Sequence, residues 1–338
     1  SQLHKEDYVD AGTPIVTVEH LGRRKLSNKN VPFVSESDAH RLSKYSLEQG
    51  DIVFSRVGSV DRCSQVSENE AGWLFSGRCL RVRPNDSMID PDYLYYFLTL
   101  PKTQEFIRAI AVGATMPSIN TSLLGEVDID LPPLSEQVGI AKGLGALDDK
   151  IAANSRIIKI ATHLNINLVE KAVTKELEHL QNLADITMGS SPKGEFLNEE
   201  GIGEPFFQGV RDFGELFPSE RVFAEKAVRT AQEGDILFAV RAPIGEVNIA
   251  ERPCVIGRGI AAIRGKQSHL GLFYLLKGHP ELWETYKSSG TVFAGINKSD
   301  LHNAVIPVLR DSEKLEQQLT PIHERAMHAL RESQALAR

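Results

Sequence analysis

The chain has only three cysteines in 338 residues, Cys63, Cys79 and Cys254, and they stand in no metal-ligand spacing. Neither a disulfide framework nor a zinc site organises such a sequence, and the three read as buried thiols of a reducing compartment. A run of about 18 apolar residues is also missing, which excludes a membrane-spanning helix. The polar, acidic opening SQLHKEDYVD does not read as a signal peptide. Together these absences lead us to expect a cytoplasmic protein with no membrane contact. Positive charge is in deficit too: the net charge is −7, and segments 1–134, 135–182, 183–310 and 311–338 carry −4, 0, −2 and −1. Binding of nucleic acid through bulk charge is thereby disfavoured, so any such contact must use local clusters or be completed by another subunit.

Catalytic signatures are absent as well. The stretch GIAAIRGKQ at Gly259–Gln267 comes nearest to a phosphate loop, but Lys266 is followed by Gln and the glycine spacing is wrong. His323–Glu324 precedes His328 by a spacing unlike that of zinc-protease helices, and it reads as a solvated helix face. There is no Gly-x-Ser-x-Gly elbow, no Cys-x-x-Cys pair, and no Asn/Asp-Pro-Pro-aromatic tetrapeptide of the kind that amino-methyltransferases use to hold a base. We therefore expect no enzyme, no cofactor and no metal.

What is present starts with one long stretch, Pro132 to about Leu177. Ile140, Leu144, Leu147, Ile151, Ile158, Ala161, Leu168 and Ala172 recur at alternating spacings of four and three, with Asn154 and Asn165 in the intervening slots. This is a heptad seam on a helix of about 44 residues, ~66 Å long. Pro132 and Pro133 fit its first turn, and Ser135 is placed to cap it. Such a stripe needs a partner helix. From Asp311 the chain supplies one, with Leu315, Leu319, Ile322, Ala326, Ala329 and Leu336 on a compatible stripe, kinked or begun at Pro321. A blander alternative packs each helix on its own globular neighbour; buried asparagines favour pairing, because they fix register at a cost in stability.

The remaining sequence is an internal repeat with a period near 180 residues. GDIVFSRVGSV from Gly50 matches GDILFAVRAPIGEV from Gly234, SGRCLRVRP from Ser76 matches IGRGIAAIRG from Ile256, and the loops GATMPSIN and GTVFAGIN end at Asn120 and Asn297. Each copy is mixed α and β. Strands are expected at Pro14–Val18, Asp51–Ser55, Cys79–Val82 and Val127–Leu131, and again at Pro205–Gln208, Asp235–Val240, Gly259–Ile263 and Ala304–Val308. Helices are expected at Asp92–Leu98, Thr103–Ala111, Leu270–Lys277 and Pro280–Ser288. The copies diverge most at Leu21–Ser46 and Gly209–Arg229, as when one scaffold displays two different surfaces. The first copy lacks a counterpart of the opening strand at Asn182–Met188, as a shortened start would explain.

Local basic and polar clusters are the remaining functional signal. Arg23, Arg24, Lys25 and Lys29 follow a strand and enter a polar loop. Arg56 and Arg241 end equivalent strands, at nearly the same repeat position. Gln208 and Arg211 occupy the loop after a strand of the second copy. Arg and Gln can make bidentate contacts with base edges, whereas Lys and hydroxyl groups mainly position phosphate. Thr115, Ser118 and Thr291 present hydroxyls in the glycine-rich loops, whose Ile and Asn we expect to fix the loop rather than touch a ligand. For Arg56 and Arg241 a structural ion pair with Asp51 or Asp235 would recur equally well.

The helix PPLSEQVGIAKGLGALDDKIAANSRI, the paired GDIVFSR/GDILFAVR segments and the two Ile-Asn loops resemble the specificity subunit of type I restriction-modification enzymes, over essentially the whole chain. The resemblance implies an α/β (α+β) chain with two similar mixed α/β target-recognition domains separated by long helices that form an antiparallel coiled coil. Its parts would be a first recognition domain at 1–132, a spacer helix at 133–180, a second recognition domain at 181–310 and a pairing helix at 311–338. It further implies double-stranded DNA with a bipartite site as ligand, two methyltransferase (modification) subunits docked on the coiled coil, and restriction subunits joining that core. The competing expectation from another class is an assembly scaffold that binds no DNA.

Overall fold

The computed structural model of the chain describes residues 3, 5–287 and 295–337. It divides into two compact units, residues 1–149 and 150–338.

In the first unit Ile52–Ser55 lies between Cys63–Gln65 and Cys79–Val82, antiparallel to both. Every residue of this middle strand is buried, so its sequence is a short continuous apolar run ended by turn residues instead of an alternating one. Helices Pro91–Thr99 and Pro101–Ile110 cover the sheet, where Leu94, Leu98 and Ile107 join Ile52 and Phe54 in one core. Asp90 caps the first of these helices by accepting the Tyr93 N–H at 2.9 Å. A second sheet has the order Tyr8–Val9, Phe33–Val34, Thr13–Val16, Leu74–Phe75, and only its last pair is parallel.

The second unit repeats this plan. Ile236–Ala239 lies between Val247–Ile249 and Ile260–Gly265, and Ala184–Met188 adds a fourth strand beside Ile260–Gly265. Its other sheet again holds one parallel pair, Glu204–Phe207 with Cys254–Ile256. Trp283 is fully buried with its ring 4.6 Å from that of Phe238. Gly245, at φ +92°, passes so close that a Cβ there would lie 2.4 Å from Trp283 Cδ1, so only glycine fits.

Two expected elements differ. No strand forms at 127–131, although the counterpart Val305–Leu309 pairs antiparallel with Val173–His179. A strand needs a partner ladder, and among the described residues of the first unit none corresponds to Val173–His179. For the same reason the long helix runs over Leu134–Ala172, 39 residues and ~58 Å, and stops short of Leu177. From Val173 the chain is drawn into the sheet instead. Ser135 lies inside the first turn and does not cap it; the Pro133 carbonyl accepts from Glu136 and Gln137.

The seam is realised only in part. In the second unit Asn154, Ile158, Ala161 and Asn165 are buried opposite Leu315, Leu319, His323, Ala326 and Ala329 of the helix Ser312–Leu336. The two helices run antiparallel: the Asn154 amide donates to Glu332 Oε2 at 2.9 Å, and the Asn165 amide to the Leu319 carbonyl at 3.4 Å. Lys150 pairs with the same Glu332 at 3.1 Å, and with the Asn154 amide it holds that carboxyl below the usual range. Pro321 sits within the second helix and does not mark its start. In the first unit a different face packs. Gln137, Ala141 and Gly145 are buried, whereas Ile140, Leu144 and Leu147 remain 40%, 38% and 41% exposed. The Gln137 side chain is fixed by the Asp90 N–H and by the Met88 and Pro132 carbonyls.

Glu324 and His328 lie on a solvated face as expected, but His323 does not: its ring is buried on the seam and meets the Tyr274 hydroxyl at 2.8 Å. Burial pushes its pKa from 6.5 to about 4. The native state therefore holds this ring neutral while the unfolded chain protonates it below 6.5, and stability is lost as pH falls from 6.5 towards 4. Thermal unfolding followed from pH 7 to pH 5 should show a falling midpoint in the parent chain and a distinctly shallower fall in His323→Phe; equal slopes would remove His323 from the account.

Candidate nucleic-acid interface

One arrangement places the side chains at the end of each inner sheet. In the first unit the Asp51 carboxylate, 1% exposed, accepts the Glu48 N–H at 2.8 Å and pairs with Arg83 at 2.7 Å. In the second, Asp235 accepts the Gln232 N–H at 2.7 Å and pairs with Arg264 at 2.6 Å. The recurrent ion pair foreseen for these aspartates thus exists, but its arginines are Arg83 and Arg264, at the far end of the third strand of each ladder. Both copies carry that arginine, in RVRP and AIRG, which is the signal that would have found it. Arg56 and Arg241 are left exposed at the other end of the middle strand, and among the described residues no carboxylate lies within ion-pair distance of either.

Strand register refines their equivalence. The Ile119 N–H donates to the Arg56 carbonyl and the Ile296 N–H to that of Val240, so Arg241 stands one residue beyond the position of Arg56. Arg56 rims a cleft of about 550 Å³ together with Lys44, Tyr45, Phe75 and Arg81. The Tyr45 and Phe75 rings meet edge-on at 5.5 Å, with Lys44 over one and Arg81 over the other.

The remaining candidates fall into distinct settings. Arg24, its side chain 18% exposed, is tied to the long helix through Asp149 Oδ1 and the Gly145 carbonyl, each at 3.4 Å, and stacks over the Tyr96 ring. Its own N–H donates to the Tyr95 hydroxyl at 2.6 Å, and Arg23 reaches Asp148 at 3.4 Å. These two arginines hold their loop to the helix, while Lys25 and Lys29 of the same loop are exposed. Thr115 is exposed at the tip of its loop, whereas the Ser118 hydroxyl donates to the Val112 carbonyl at 3.1 Å and braces that loop. Thr291 lies outside the described residues.

As expected, the repeated Ile and Asn are structural. Ile119 and Ile296 are buried, and Asn120 and Asn297 each cap a short helix by accepting an N–H at 2.9 Å, from Leu123 and Asp300. In the second unit Gln208 and Arg211 are exposed. The Gln208 side-chain carbonyl accepts from the Ser191 hydroxyl at 2.8 Å, a contact that sequence pattern alone does not signal. A Cβ on Gly257 would lie 2.3 Å from that same carbonyl oxygen, so glycine there leaves room for the amide. The cysteines are buried as expected, and burial pushes the thiols of Cys63, Cys79 and Cys254 up to about 12, 11 and 12. Among the described residues no group of His, Cys, Asp and Glu is placed to hold a metal ion, and no helix is long and apolar enough to cross a membrane.

Comparison with known proteins adds a family. A family model described as type I restriction modification DNA specificity domain matches residues 2–162 and again residues 173–318. A Methanocaldococcus jannaschii protein named for the specificity subunit of the type I restriction enzyme MjaX is 32% identical, over 90% of this chain and 78% of its own length. The EcoKI specificity subunit of Escherichia coli is 24% identical over 69% of this chain and 55% of its own. The crystal structure of a type I restriction-modification S subunit from M. genitalium superposes with a TM-score of 0.65 over 99% of this chain and 88% of that one, at 18% identity, a likeness of fold.

Stability measurements separate the two kinds of arginine contact. Asp51→Ala and Asp235→Ala should each cost about 2 kcal/mol in urea melts, since each leaves a backbone N–H without its acceptor and removes the carboxylate that ties an arginine to the middle strand. Arg56→Ala and Arg241→Ala should stay within about 0.5 kcal/mol of the parent, as exposed side chains without an ion-pair partner do. A large cost in the second pair would make those arginines structural.

Proposed function

The chain belongs to the type I restriction-modification DNA specificity family, and we propose that its two units are target-recognition domains, each reading one half of a bipartite double-stranded DNA site. As a specificity subunit it is non-catalytic, and the methyl transfer and cleavage belong to its partners. In this reading residues 1–132 and 181–310 recognise DNA, and the helices at 133–180 and 311–338 set the unread spacing and dock two methyltransferase subunits, with restriction subunits joining them in the cytoplasm.

One observation carries the proposal. Two units share an inner ladder, its buried Asp paired with an Arg and its capped Ile-Asn loop, yet differ in the polar side chains displayed beyond it. A shared frame with unlike displays suits two unlike half-sites. The continuous helix Leu134–Ala172 supports the spacer role, since a rod of defined length translates into a defined number of base pairs at ~3.4 Å each. Within the frame we assign DNA contact to Lys25, Lys29, Arg56 and Thr115 in the first unit and to Gln208, Arg211 and Arg241 in the second. Arg23, Arg24 and Ser118 act by fixing the loops that carry those contacts. The assembly-scaffold alternative lacks a comparable observation.

Footprinting of the complex with methyltransferase subunits should protect two unlike half-sites. Arg56→Ala should weaken protection of one half and Arg241→Ala of the other, each about tenfold for the loss of one good contact. One contiguous protected site, or no selectivity at all, overturns the reading.

A further inference from the structure

A second pair of arginines stands across from the first. The ladder register in the first unit runs Ile52 with Val82 through Ser55 with Cys79, and the next pair out is Arg56 with Arg78, joined by the Arg56 N–H to the Arg78 carbonyl at 2.8 Å. In the second unit the ladder runs to Ala239 with Ile260, and the Val240 N–H then meets the Gly259 carbonyl at 3.0 Å. One residue beyond these stand Arg241, which bridges Gly295, and Arg258, whose N–H donates to the Ser191 hydroxyl at 3.3 Å. All four side chains are exposed, and among the described residues none has a carboxylate within ion-pair distance. Like charges directly opposite one another across a ladder are destabilising. Elsewhere in these sheets arginines do have acidic partners, as Arg83 and Arg264 show. Two arginines without a carboxylate partner thus stand at the same end of both ladders, where Arg56 Nη1 reaches only the Gly77 carbonyl at 3.5 Å, and an anion held by both guanidinium groups would offset their repulsion.

Which anion follows from what the two units share and what they do not. Unlike half-sites cannot be told apart by a feature that both readers carry, so the common pair suits the part of DNA common to every sequence, the phosphate backbone. The strand position occupied by Gln208 in the second unit is held by Thr17 in the first, where the hydroxyl meets His20 Nδ1 at 3.0 Å, so side chains able to discriminate diverge beside the common pair. In the first unit Ser76 and Gly77 line both the cleft of about 550 Å³ and a second of about 680 Å³, whose lining also includes Arg78.

We propose that Arg78 and Arg258 complete, with Arg56 and Arg241, a two-arginine clamp on a backbone phosphate at the ladder end of each unit. The inference rests on the DNA-reading function proposed above. Arg78 and Arg258 act as positioning residues: they fix the register of the reader on the duplex and select no base.

The test is the salt dependence of binding by the chain in complex with methyltransferase subunits to a mixed-sequence duplex of about 40 base pairs, since each neutralised phosphate adds about 0.9 to the slope of log K against log salt. Because the two arginines of a pair share one phosphate, replacing both (Arg56→Gln with Arg78→Gln, or Arg241→Gln with Arg258→Gln) should lower that slope by about 1, and all four together by about 2. Arg78→Gln or Arg258→Gln alone should weaken binding about tenfold on every duplex alike, with circular dichroism and thermal midpoint unchanged. Arg78→Lys should restore most of that affinity, because an ammonium also neutralises a phosphate. Unchanged affinity in both single Gln variants, with the parent binding normally, removes the clamp and leaves the DNA reading standing. Loss confined to duplexes with particular base pairs also overturns it, by making these arginines base readers. A parent complex that binds no duplex at any salt brings down both.

Discussion

A buried carboxylate at the head of the middle strand is the constraint from which each unit is built. Asp51 and Asp235 follow Gly50 and Gly234, both at positive φ, and each accepts a backbone N–H from the turn while gripping an arginine on the neighbouring strand. A charge at 1% exposure is tolerable only because these bonds replace its water. Its grip sets the register of strands one and three of the inner sheet. Register in turn decides which side chains enter the core and which emerge at the opposite end, where Arg56 and Arg241 stand. The ion pair is at one end of the ladder and cations without a carboxylate partner are at the other, so the two kinds of charge share one strand without competing.

The order of elements, the repeat and the long helices were legible in the sequence because they rest on local periodicity: nearly every expected strand and helix falls within a residue or two of its place. Three features were not legible, and each depends on something distant along the chain. The end of the long helix at Ala172 is decided by a strand more than a hundred residues away. The exposure of Ile140, Leu144 and Leu147 is decided by which face Gln137, Ala141 and Gly145 dock, a matter of small residues and one amide, not of heptad rhythm. The partner of Asp51 was sought next door at Arg56, whereas antiparallel pairing brings Arg83 to it from across the sheet.

Of the site, the residue types were legible but their duties were not. Arg24 and Arg56 are both arginines that follow an expected strand in the sequence, and nothing in the local pattern separates them. The structure gives Arg24 two carboxylates, an aromatic ring and a carbonyl, and gives Arg56 no carboxylate within ion-pair distance. Basic residues mark DNA contact only when acidic neighbours have not already claimed them, and that inventory requires coordinates.

The same inventory bears on the overall acidity. A chain of net charge −7 is ill suited to hold a polyanion by its mean field, yet mean field is not what a reader of short sequences needs. Much of the negative charge here lies in ion pairs that brace loops and helices, such as Glu332 with Lys150 and Asp148 with Arg23. What remains unpaired by carboxylates includes a small number of cations at the ladder ends. On the reading proposed above, those cations position the backbone, discrimination rests on the side chains that differ between the units, and bulk affinity is left to whatever positive surface the partner subunits bring.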